Sequence, residues 1–368
     1  MPRTRVLAAL SGGVDSSVAA LLAQRAGHEV VGVFLRNGVS AAPAGSRRAH
    51  QGCCSVEDAA DAARVADRLG IPFHALDMAD EFGAIVDHFV AEYAAGRTPN
   101  PCAVCNRDVK FGALARFADA LGAELLVTGH YACVRRGADG VELWRGVDRR
   151  KDQSYVLFPV APEVLARTWL PLGGMEKAET RRLAEEAGFA VHDKPDSVEI
   201  CFVPSGDYRD LLAQRGGLGK PGRFVDRDGR VLGEHDGHMG FTRGQRRGLG
   251  FAAGRPYYVL DVDPESGDVL VGPREETTCR RAVVEEFHGF PTGLAAGEVW
   301  SDVVVQYRSS FGETPAEVTG LGGGAVEVRF LAPAESVAPG QGLAVYRGDR
   351  LLGGGWIRVA EPVGRMAV

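Results

Sequence analysis

The seven residues at positions 11–17 are the segment of this 368-residue chain whose types and spacing point most directly to chemistry. They form the sequence Ser-Gly-Gly-Val-Asp-Ser-Ser between a strand-like apolar run and a helix-like run. Two glycines allow a sharp turn and a close approach to a ligand, and the N–H groups that open a helix attract anions. The serine hydroxyls are further donors, and Asp15 is an oxygen ligand suited to the divalent cation of a nucleotide. The segment therefore predicts a turn that binds pyrophosphate.

This turn differs from two common phosphate-binding motifs. It lacks the Gly-Lys-Ser/Thr ending of a Walker A loop and the spacing of the dinucleotide fingerprint. It resembles the PP-loop of the N-type ATP pyrophosphatases, which cleave ATP between the α and β phosphates and activate a carbonyl oxygen with AMP. The resemblance implies ATP with Mg²⁺ as the ligand. From the residues alone, an ordinary glycine turn capped by serines is the alternative.

The elements that must position this turn alternate between strands and helices. Strand-length apolar runs occur at 5–10, 30–35, 72–77 and 124–128, and helical periodicity fills 14–26, 55–70, 81–95 and 106–121. Alternating βα units imply a parallel sheet with right-handed crossovers, and ligands of such sheets bind at the carboxyl ends of the strands. The turn at Ser11 and the segment Thr128-Gly129-His130 both follow strands, so we expect them to face one pocket.

The pattern changes beyond about residue 219, where glycine-rich turns separate short alternating segments. Residues 263–267 predict a hairpin turn between strands at 257–262 and 268–271. In residues 326–330, Val-Glu-Val-Arg-Phe, the apolar side chains share one face. The last ninety or so residues therefore predict an antiparallel barrel or sandwich.

Bulk composition restricts the class of protein. A hydrophobic content of 45% and a charged content of 24% are ordinary for a soluble globular protein. No apolar stretch is long enough to span a membrane, and no signal-peptide pattern is present, so we expect a cytoplasmic location. The net charge of −6 means that a nucleic acid would have to be held by local basic patches.

Seven cysteines in such a chain favour reactive thiols or metal ligands over a disulfide framework. Cys105 precedes the helix predicted from 106, and a thiol at a helix N-terminus has a lowered pKa. Cys201 lies in an apolar segment that follows acidic residues. Either cysteine alone would usually be a small buried side chain, but beside an ATP pyrophosphatase loop the pair suggests sulfur transfer to an adenylated substrate. Four others are expected to be packing residues: Cys53, Cys54, Cys133 and Cys279.

Several motifs, taken in order, are similar to those of the bacterial tRNA-specific 2-thiouridylases, and the similarity covers essentially the whole chain. The motifs are Ser11–Ser17, Gly96 to Asn106, Thr128–Tyr131, Lys151–Tyr155, Asp196-Ser197 with Ile200–Phe202, Gly244–Gly250 and Pro339–Gln341. The resemblance implies an α/β fold: a PP-loop parallel-sheet domain at 1–215, a small central tRNA-binding domain at 216–278 and a C-terminal antiparallel β-barrel at 279–368. We expect a monomer.

The same resemblance assigns residues to three binding sites. It places ATP on Ala9, Leu10, Ser11, Gly12, Gly13, Val14, Asp15, Ser16, Leu35 and Gly129. It places the target base on Asn100, Pro101 and Cys102. It assigns contacts with the tRNA to His130, Lys151, Asp152, Gln153, Gln306, Tyr307 and Gln341.

The implied reaction is ATP-dependent 2-thiolation of the wobble uridine of a tRNA anticodon. Adenylation of the C2 carbonyl oxygen releases pyrophosphate and converts a poor electrophile into one with a good leaving group. Cys201, loaded as a persulfide by a sulfur carrier or a cysteine desulfurase, delivers sulfur to C2. Cys105 attacks the persulfide or resolves it as a disulfide with Cys201, and AMP leaves. The base must be extruded from its stack, which costs a few kcal/mol.

Position 102 departs from the family pattern, since well-known members have an aspartate there. With Cys102 in place, Cys102, Cys105 and Cys201 could instead hold a [4Fe–4S] cluster that carries the sulfide donor. A catalytic zinc with water as its fourth ligand is a further alternative. Two other functions also stay open: a PP-loop ligase or amidotransferase that acts on a small acid, and a non-catalytic nucleic-acid-binding or metal-sensing module.

Overall fold

The computed structural model describes residues 4–38, 56–196, 200–203, 207–308 and 312–362. The chain divides into two compact units, each assembled from separate segments. The first unit comprises Met1–Val86, Pro101–Gly206 and Asp349–Leu352, and the second comprises Asp87–Asn100, Asp207–Gly348 and Gly353–Val368. The three domain boundaries expected from the sequence stay a prediction. Three residues on which the sequence analysis commented lie outside the described residues: Cys53, Cys54 and Ser197.

A five-stranded parallel sheet forms the centre of the first unit, in the order β3-β2-β1-β4-β7. The strands of this unit are β1 (Arg5–Ala9), β2 (Glu29–Arg36), β3 (Phe73–Asp77), β4 (Leu125–Val127), β5 (Ala132–Gly137), β6 (Gly140–Arg145) and β7 (Thr168–Trp169). Val6, Leu7 and Ala8 of β1 are almost fully buried, as expected for a strand with both faces covered. The predicted α/β fold with a parallel sheet is confirmed.

Helices connect these strands. They are α1 (Val14–Arg25), α2 (Val56–Leu69), α3 (Ala79–Ala94), α4 (Pro101–Cys105), α5 (Leu114–Leu121), α6 (Pro162–Ala166) and α7 (Lys177–Glu186), and a π-helix at Asn106–Ala113 joins α4 to α5. The residues of α3 from Asp87 onward belong to the second unit. One side of the sheet packs on α5, where Leu7, Val33, Leu114 and Leu126 share a buried cluster. The hairpin of β5 and β6 is extended by Arg350 and Leu351, which pair with β6.

The predicted start of the helix near Cys105 is wrong. The periodicity predicted a helix from residue 106, but α4 begins at Pro101 and continues into the π-helix. Proline is favoured in the first turn of a helix, because its missing N–H would have no helical partner there and its φ angle is already helical. Pro101 therefore lies in the first turn of the helix.

The second unit contains α8 (Tyr208–Gln214) and two sheets. The smaller has the order β10-β11-β8-β9, with β8 (Gly222–Val225), β9 (Val231–His235), β10 (Tyr258–Val262) and β11 (Val269–Gly272). Antiparallel pairing of β10 with β11 confirms the hairpin expected around residues 263–267.

Six long strands form the larger sheet, in the order β12-β15-β14-β13-β16-β17. They are β12 (Thr278–Gly289), β13 (Val299–Gln306), β14 (Thr314–Gly322), β15 (Ala325–Glu335), β16 (Gly342–Arg347) and β17 (Arg350–Pro362). Because β12 also pairs with β17, the sheet closes on itself, and the predicted antiparallel barrel is confirmed. Among the described residues, no helix is both long enough and apolar enough to cross a membrane.

Candidate functional site

The glycine-serine loop joins the end of β1 to the start of α1. Its shape is held by its own hydroxyl groups: the Ser11 N–H donates to Ser16 Oγ at 3.0 Å, and the Ser16 and Ser17 hydroxyls donate to the Gly13 carbonyl at 3.1 and 2.8 Å. A hydroxyl that bonds its own loop stiffens the loop without closing off the backbone N–H groups at the start of α1. The arrangement predicted from the sequence, a turn between a strand and a helix, is therefore present.

Two glycines are required by close backbone approaches at this loop. Gly12 has a φ of +72°, and a Cβ there would lie 2.3 Å from the Asp58 carbonyl oxygen. Gly129 follows β4, the neighbour of β1 in the sheet, and a Cβ there would lie 2.7 Å from the backbone of Asp15 and of Ser16. The structure thus brings the segment after β4 against the loop after β1, as expected for adjacent parallel strands.

The Asp15 carboxylate, in the first turn of α1, is bound by two side chains of the first unit. The Lys177 ammonium donates to its two oxygens at 2.7 and 2.8 Å, and the Tyr131 hydroxyl donates at 2.9 Å. Burial and the charge of Asp15 raise the pKa of Tyr131, so its hydroxyl keeps its proton. Asp15 is one-third exposed, and its two oxygens are hard ligands of the kind that Mg²⁺ prefers.

A second lysine, Lys194, contacts the loop at Gly12. The Lys194 ammonium donates to the Gly12 carbonyl at 2.9 Å, to Asp58 at 2.6 Å and to Asp61 at 2.7 Å. Burial lowers the pKa of Lys194, but the hydrogen bonds with the two carboxylates outweigh that effect and raise it. A permanently charged ammonium is therefore fixed beside the predicted phosphate loop.

Asp196 connects these groups. Its carboxylate contacts Lys177 and Lys151 at 2.7 Å and Arg181 at 3.1 Å. Burial would raise the pKa of Asp196, but the hydrogen bonds from Lys151 and Lys177 lower it overall. Asp196 therefore stays ionised and shares the Lys177 ammonium with Asp15.

The lysine partners of the loop were not predicted from the sequence, although its composition contains a signal. Only five of the 42 lysine and arginine residues are lysines, and three of the five, Lys151, Lys177 and Lys194, belong to this network. An ammonium is a compact point charge that three acceptors can surround, whereas a guanidinium is a planar fork. Two of these lysines, Lys177 and Lys194, lie where one cationic group contacts two or more acceptors, a geometry that suits the compact ammonium.

The cysteines expected to react lie in the first unit and differ in exposure. Cys102, in the first turn of α4, is exposed, Cys105 is buried at the end of α4, and Cys201 is half-buried. The prediction that Cys105 lies at a helix N-terminus is wrong, because the helix begins four residues earlier. A π-helix follows Cys105 directly. Such segments are rare in proteins, and many of those that occur lie at functional sites. Within the described ranges, no three His, Cys, Asp or Glu side chains are grouped so that they could hold a metal ion.

The remaining positions expected at the ATP and base sites vary in exposure. Ala9 and Leu35 are partly buried and pack against the cluster between the sheet and α5, whereas Leu10 and Val14 are buried. Asn100 and Pro101, expected at the target base, are also buried. Of the three positions expected at the base, Cys102 alone is exposed.

Four of the residues expected to contact tRNA lie in the first unit, and each of them makes an internal bond. His130 is buried beside Thr128, with Nδ1 2.8 Å from the threonine hydroxyl. Burial and then the Lys110 charge lower its pKa to about 3, so its ring is neutral. Gln153 accepts the Tyr131 N–H at 3.0 Å, and Asp152 is almost fully buried against Arg145. The Lys151 side chain is over a third exposed and binds Asp196, and Gln153 is also exposed.

The three positions expected in the second unit are also internally bonded. Gln306 donates to the Arg308 carbonyl at 3.1 Å, and the Tyr307 hydroxyl donates to the Glu335 carbonyl at 3.4 Å. Gln341 donates to the carbonyls of Thr98 and Pro99 at 3.2 and 2.8 Å. Contact of these side chains with RNA stays a prediction. In the structure, each of them supports the backbone around it.

Three family models match consecutive parts of the chain. They are described as a tRNA methyl transferase HUP domain at residues 4–205, a tRNA methyl transferase PRC-barrel domain at 209–273 and an aminomethyltransferase beta-barrel domain at 295–357. The first of these covers the phosphate loop, the lysine network and the three cysteines.

Curated relatives match over nearly their whole length. The chain is 47% identical to a tRNA-specific 2-thiouridylase MnmA of Geobacter metallireducens, over 98% of this chain and 99% of the relative. It is 44% identical to the protein of that name from Carboxydothermus hydrogenoformans, over 96% and 98% of the two chains. It is 48% identical to that of Mycobacterium avium, over 95% and 97%.

Proposed function

We propose that this chain, which belongs to the tRNA-specific 2-thiouridylase MnmA family, is an enzyme that converts a uridine of tRNA to 2-thiouridine at the expense of ATP. The proposed target is the wobble uridine of the anticodon. The observation that carries the proposal is the phosphate loop, with Gly129 packed on it and two lysines bound to it, in a chain aligned end to end with named thiouridylases.

The proposed ATP site is the loop at the carboxyl end of β1. Its free backbone N–H groups at the start of α1 suit the phosphates, and Leu35 and Gly129 lie at the ends of the two neighbouring strands, where the nucleoside would bind. Asp15 is the proposed ligand for the magnesium ion that accompanies ATP, and a bound cation would supply charge neutralisation at the phosphates. The chain itself holds the phosphates and orients the α-phosphorus toward the uridine oxygen.

Two thiols would then perform the sulfur chemistry. The outer sulfur of a Cys201 persulfide attacks C2 and expels AMP, which leaves a C2–S–S–Cys201 linkage. Attack by the Cys105 thiolate on the Cys201 sulfur forms a Cys105–Cys201 disulfide and releases the thiouridine. If Cys105 attacks the persulfide first, hydrosulfide is released for attack on C2, and the same disulfide forms. Either order requires an external thiol to reduce that disulfide before the next turnover.

Further partners follow from this chemistry. A persulfide on Cys201 must be supplied by a sulfur carrier or a cysteine desulfurase, and the anticodon loop must be presented with its base extruded. Recognition is expected to combine the shape of the stem with contacts to the splayed base. We propose that the protein acts as a monomer in the cytoplasm. Asn100, Pro101 and Cys102 are the proposed contacts with the target base, and Lys151 is the proposed contact with the stem.

Substitution of Cys201 tests the proposal. With unmodified tRNA, ATP and a sulfur donor, the wild-type enzyme is expected to release AMP and to retard the tRNA on a mercury-affinity gel. Cys201→Ser should abolish the retardation while ATP binding stays unchanged, because the thiol is not part of the loop. Cys133→Ser, a half-buried cysteine on β5, is the matched control. Full thiolation by Cys201→Ser would refute the role, and AMP formed only on a small acid would indicate a ligase.

The alternative donor, a [4Fe–4S] cluster on Cys102, Cys105 and Cys201, needs those ligands to converge. The described residues contain no such group, so no step is assigned to it. Iron and sulfide analysis after anaerobic purification distinguishes the two donors, together with Cys102→Asp. Retained thiolation by Cys102→Asp without iron supports the persulfide route, whereas iron in the wild type that is lost in this variant supports the cluster.

A further inference from the structure

One lysine of the first unit joins the predicted nucleotide loop to the segment that leads to Cys201. The Lys177 ammonium lies between two carboxylates, 2.7 and 2.8 Å from the oxygens of Asp15 and 2.7 Å from Asp196. Its side chain is only 10% exposed. The backbone of Lys177, at the start of α7, is also held, because its N–H donates to the Asp148 carboxylate at 3.0 Å. The Lys177 ammonium therefore forms ion pairs with both Asp15 and Asp196.

The two carboxylates differ in how many other cations hold them. Asp196 also contacts Lys151 and Arg181, whereas the described partners of Asp15 are Lys177 and the neutral Tyr131 hydroxyl. An Asp15 carboxylate that binds a cation through these oxygens must give up part of its contact with Lys177, since both compete for the same lone pairs. The released ammonium still has Asp196 within contact, and it has the phosphates of a bound nucleotide as new anionic partners.

Asp196 is also bound by Arg181, which anchors the chain before it to α7. Arg181 donates to the carbonyls of His192 and Lys194 as well as to Asp196. The residues before Asp196 are thus anchored to α7. Cys201 lies five residues beyond Asp196, a distance of at most about 18 Å for extended chain. The position of Asp196 therefore limits where the Cys201 thiol can reach.

We propose that Lys177 is a positioning residue that makes the reach of Cys201 depend on whether the loop holds a nucleotide. With the loop empty, Lys177 ties Asp15 to Asp196. With ATP and its cation bound, Asp15 binds the cation, and Lys177 divides its contacts between the phosphates and Asp196, which shifts Asp196 and so changes the reach of Cys201. Sulfur delivery is thereby coupled to occupancy of the ATP site. This inference rests on the proposed function, because it takes the loop to hold ATP.

The test measures the reactivity of Cys201 without any tRNA. Alkylation of Cys201 by iodoacetamide is followed by mass spectrometry, with and without Mg²⁺ and a non-hydrolysable ATP analogue. The wild-type rate is expected to change when the nucleotide binds. Lys177→Met should lose this response, and Lys177→Arg, which keeps the charge, should restore part of it. Arg182→Met is the matched control, because Arg182 lies on the same helix and its ion-pair partners among the described residues are Glu179 and Glu186.

A second variant separates the link from the loop itself. Asp196→Asn keeps the contact between Lys177 and Asp15 but weakens the link to the Cys201 segment, so it should bind the nucleotide and yet lose the response. Melting temperatures show whether each variant is folded. The inference would be overturned if the wild-type alkylation rate of Cys201 were the same with and without the nucleotide. It would also be overturned if both Lys177→Met and Asp196→Asn kept the full change in that rate. Failure of the wild type to form AMP with tRNA would instead remove the proposed function, a result that this assay does not depend on.

Discussion

Asp152 offers a sharp test of whether a residue expected at the RNA is a contact or part of the scaffold. Its side chain and that of Arg145 are 3% and 1% exposed, and their charged atoms are 2.7 Å apart. The Asp152 carboxylate also accepts hydrogen bonds from the Gly146 N–H at 2.9 Å and from the N–H and hydroxyl of Ser154 at 3.2 and 3.0 Å. Asp152→Asn preserves the size of the side chain but removes the charge and turns one acceptor into a donor.

The structure sets the size of the effect. Removing one member of a buried ion pair costs about 3–5 kcal/mol, because the other charge stays buried without compensation. In a unit of this size, each kcal/mol shifts the melting temperature by about 2–4 °C, so we expect Asp152→Asn to melt about 6–20 °C below the wild type. Lys151→Gln, a charge change at the next position, involves a side chain more than a third exposed and should cost less than about 1 kcal/mol.

The assay combines thermal unfolding with tRNA binding at a temperature where both variants are folded. We expect Asp152→Asn to be strongly destabilised but to bind tRNA within a few-fold of the wild type, and Lys151→Gln to show the opposite pattern. If Asp152→Asn has the melting temperature of the wild type but a reduced affinity for tRNA, the reasoning from burial is refuted and Asp152 contacts RNA directly.

Three further outcomes are expected. The neutral His130 ring has a pKa of about 3 in the folded protein, below its ordinary 6.5. Its contribution to stability is therefore complete above pH 6.5 and is lost as the pH falls toward 3. In urea unfolding, the unfolding free energy of His130→Gln should fall with decreasing pH less steeply than that of the wild type, by up to about 1.4 kcal/mol per pH unit. Gly129→Ala forces a Cβ against the loop backbone and should raise the KM for ATP about five- to 150-fold, whereas an unchanged KM would place ATP elsewhere. Gln341→Leu leaves two carbonyls without their donor and should lower the unfolding free energy by about 1–3 kcal/mol, measured by urea titration.

Local sequence was enough for the parts of the protein that are contiguous in the chain. The phosphate turn is built from neighbouring residues between β1 and α1, so its glycines and hydroxyls act within a few positions of one another. Periodicity likewise predicted the alternating strands and helices and the antiparallel barrel, because each reflects which face of an element is buried. The predicted start of α4 was wrong because Pro101 suits both the first turn of a helix and a loop, and the residues around it do not distinguish the two.

Tertiary structure alone decided which distant groups meet. Lys177 lies 162 positions from the Asp15 that it binds, and Lys194 lies 182 positions from Gly12. No periodicity encodes these pairs, since they depend on how the helices and loops pack at the carboxyl ends of the strands. Burial decided the rest: Asp152 and His130 have polar side chains that suit an RNA contact, yet folding places them where their hydrogen bonds are internal. Side-chain chemistry can be recognised along a chain, whereas its partners exist only once the chain is packed.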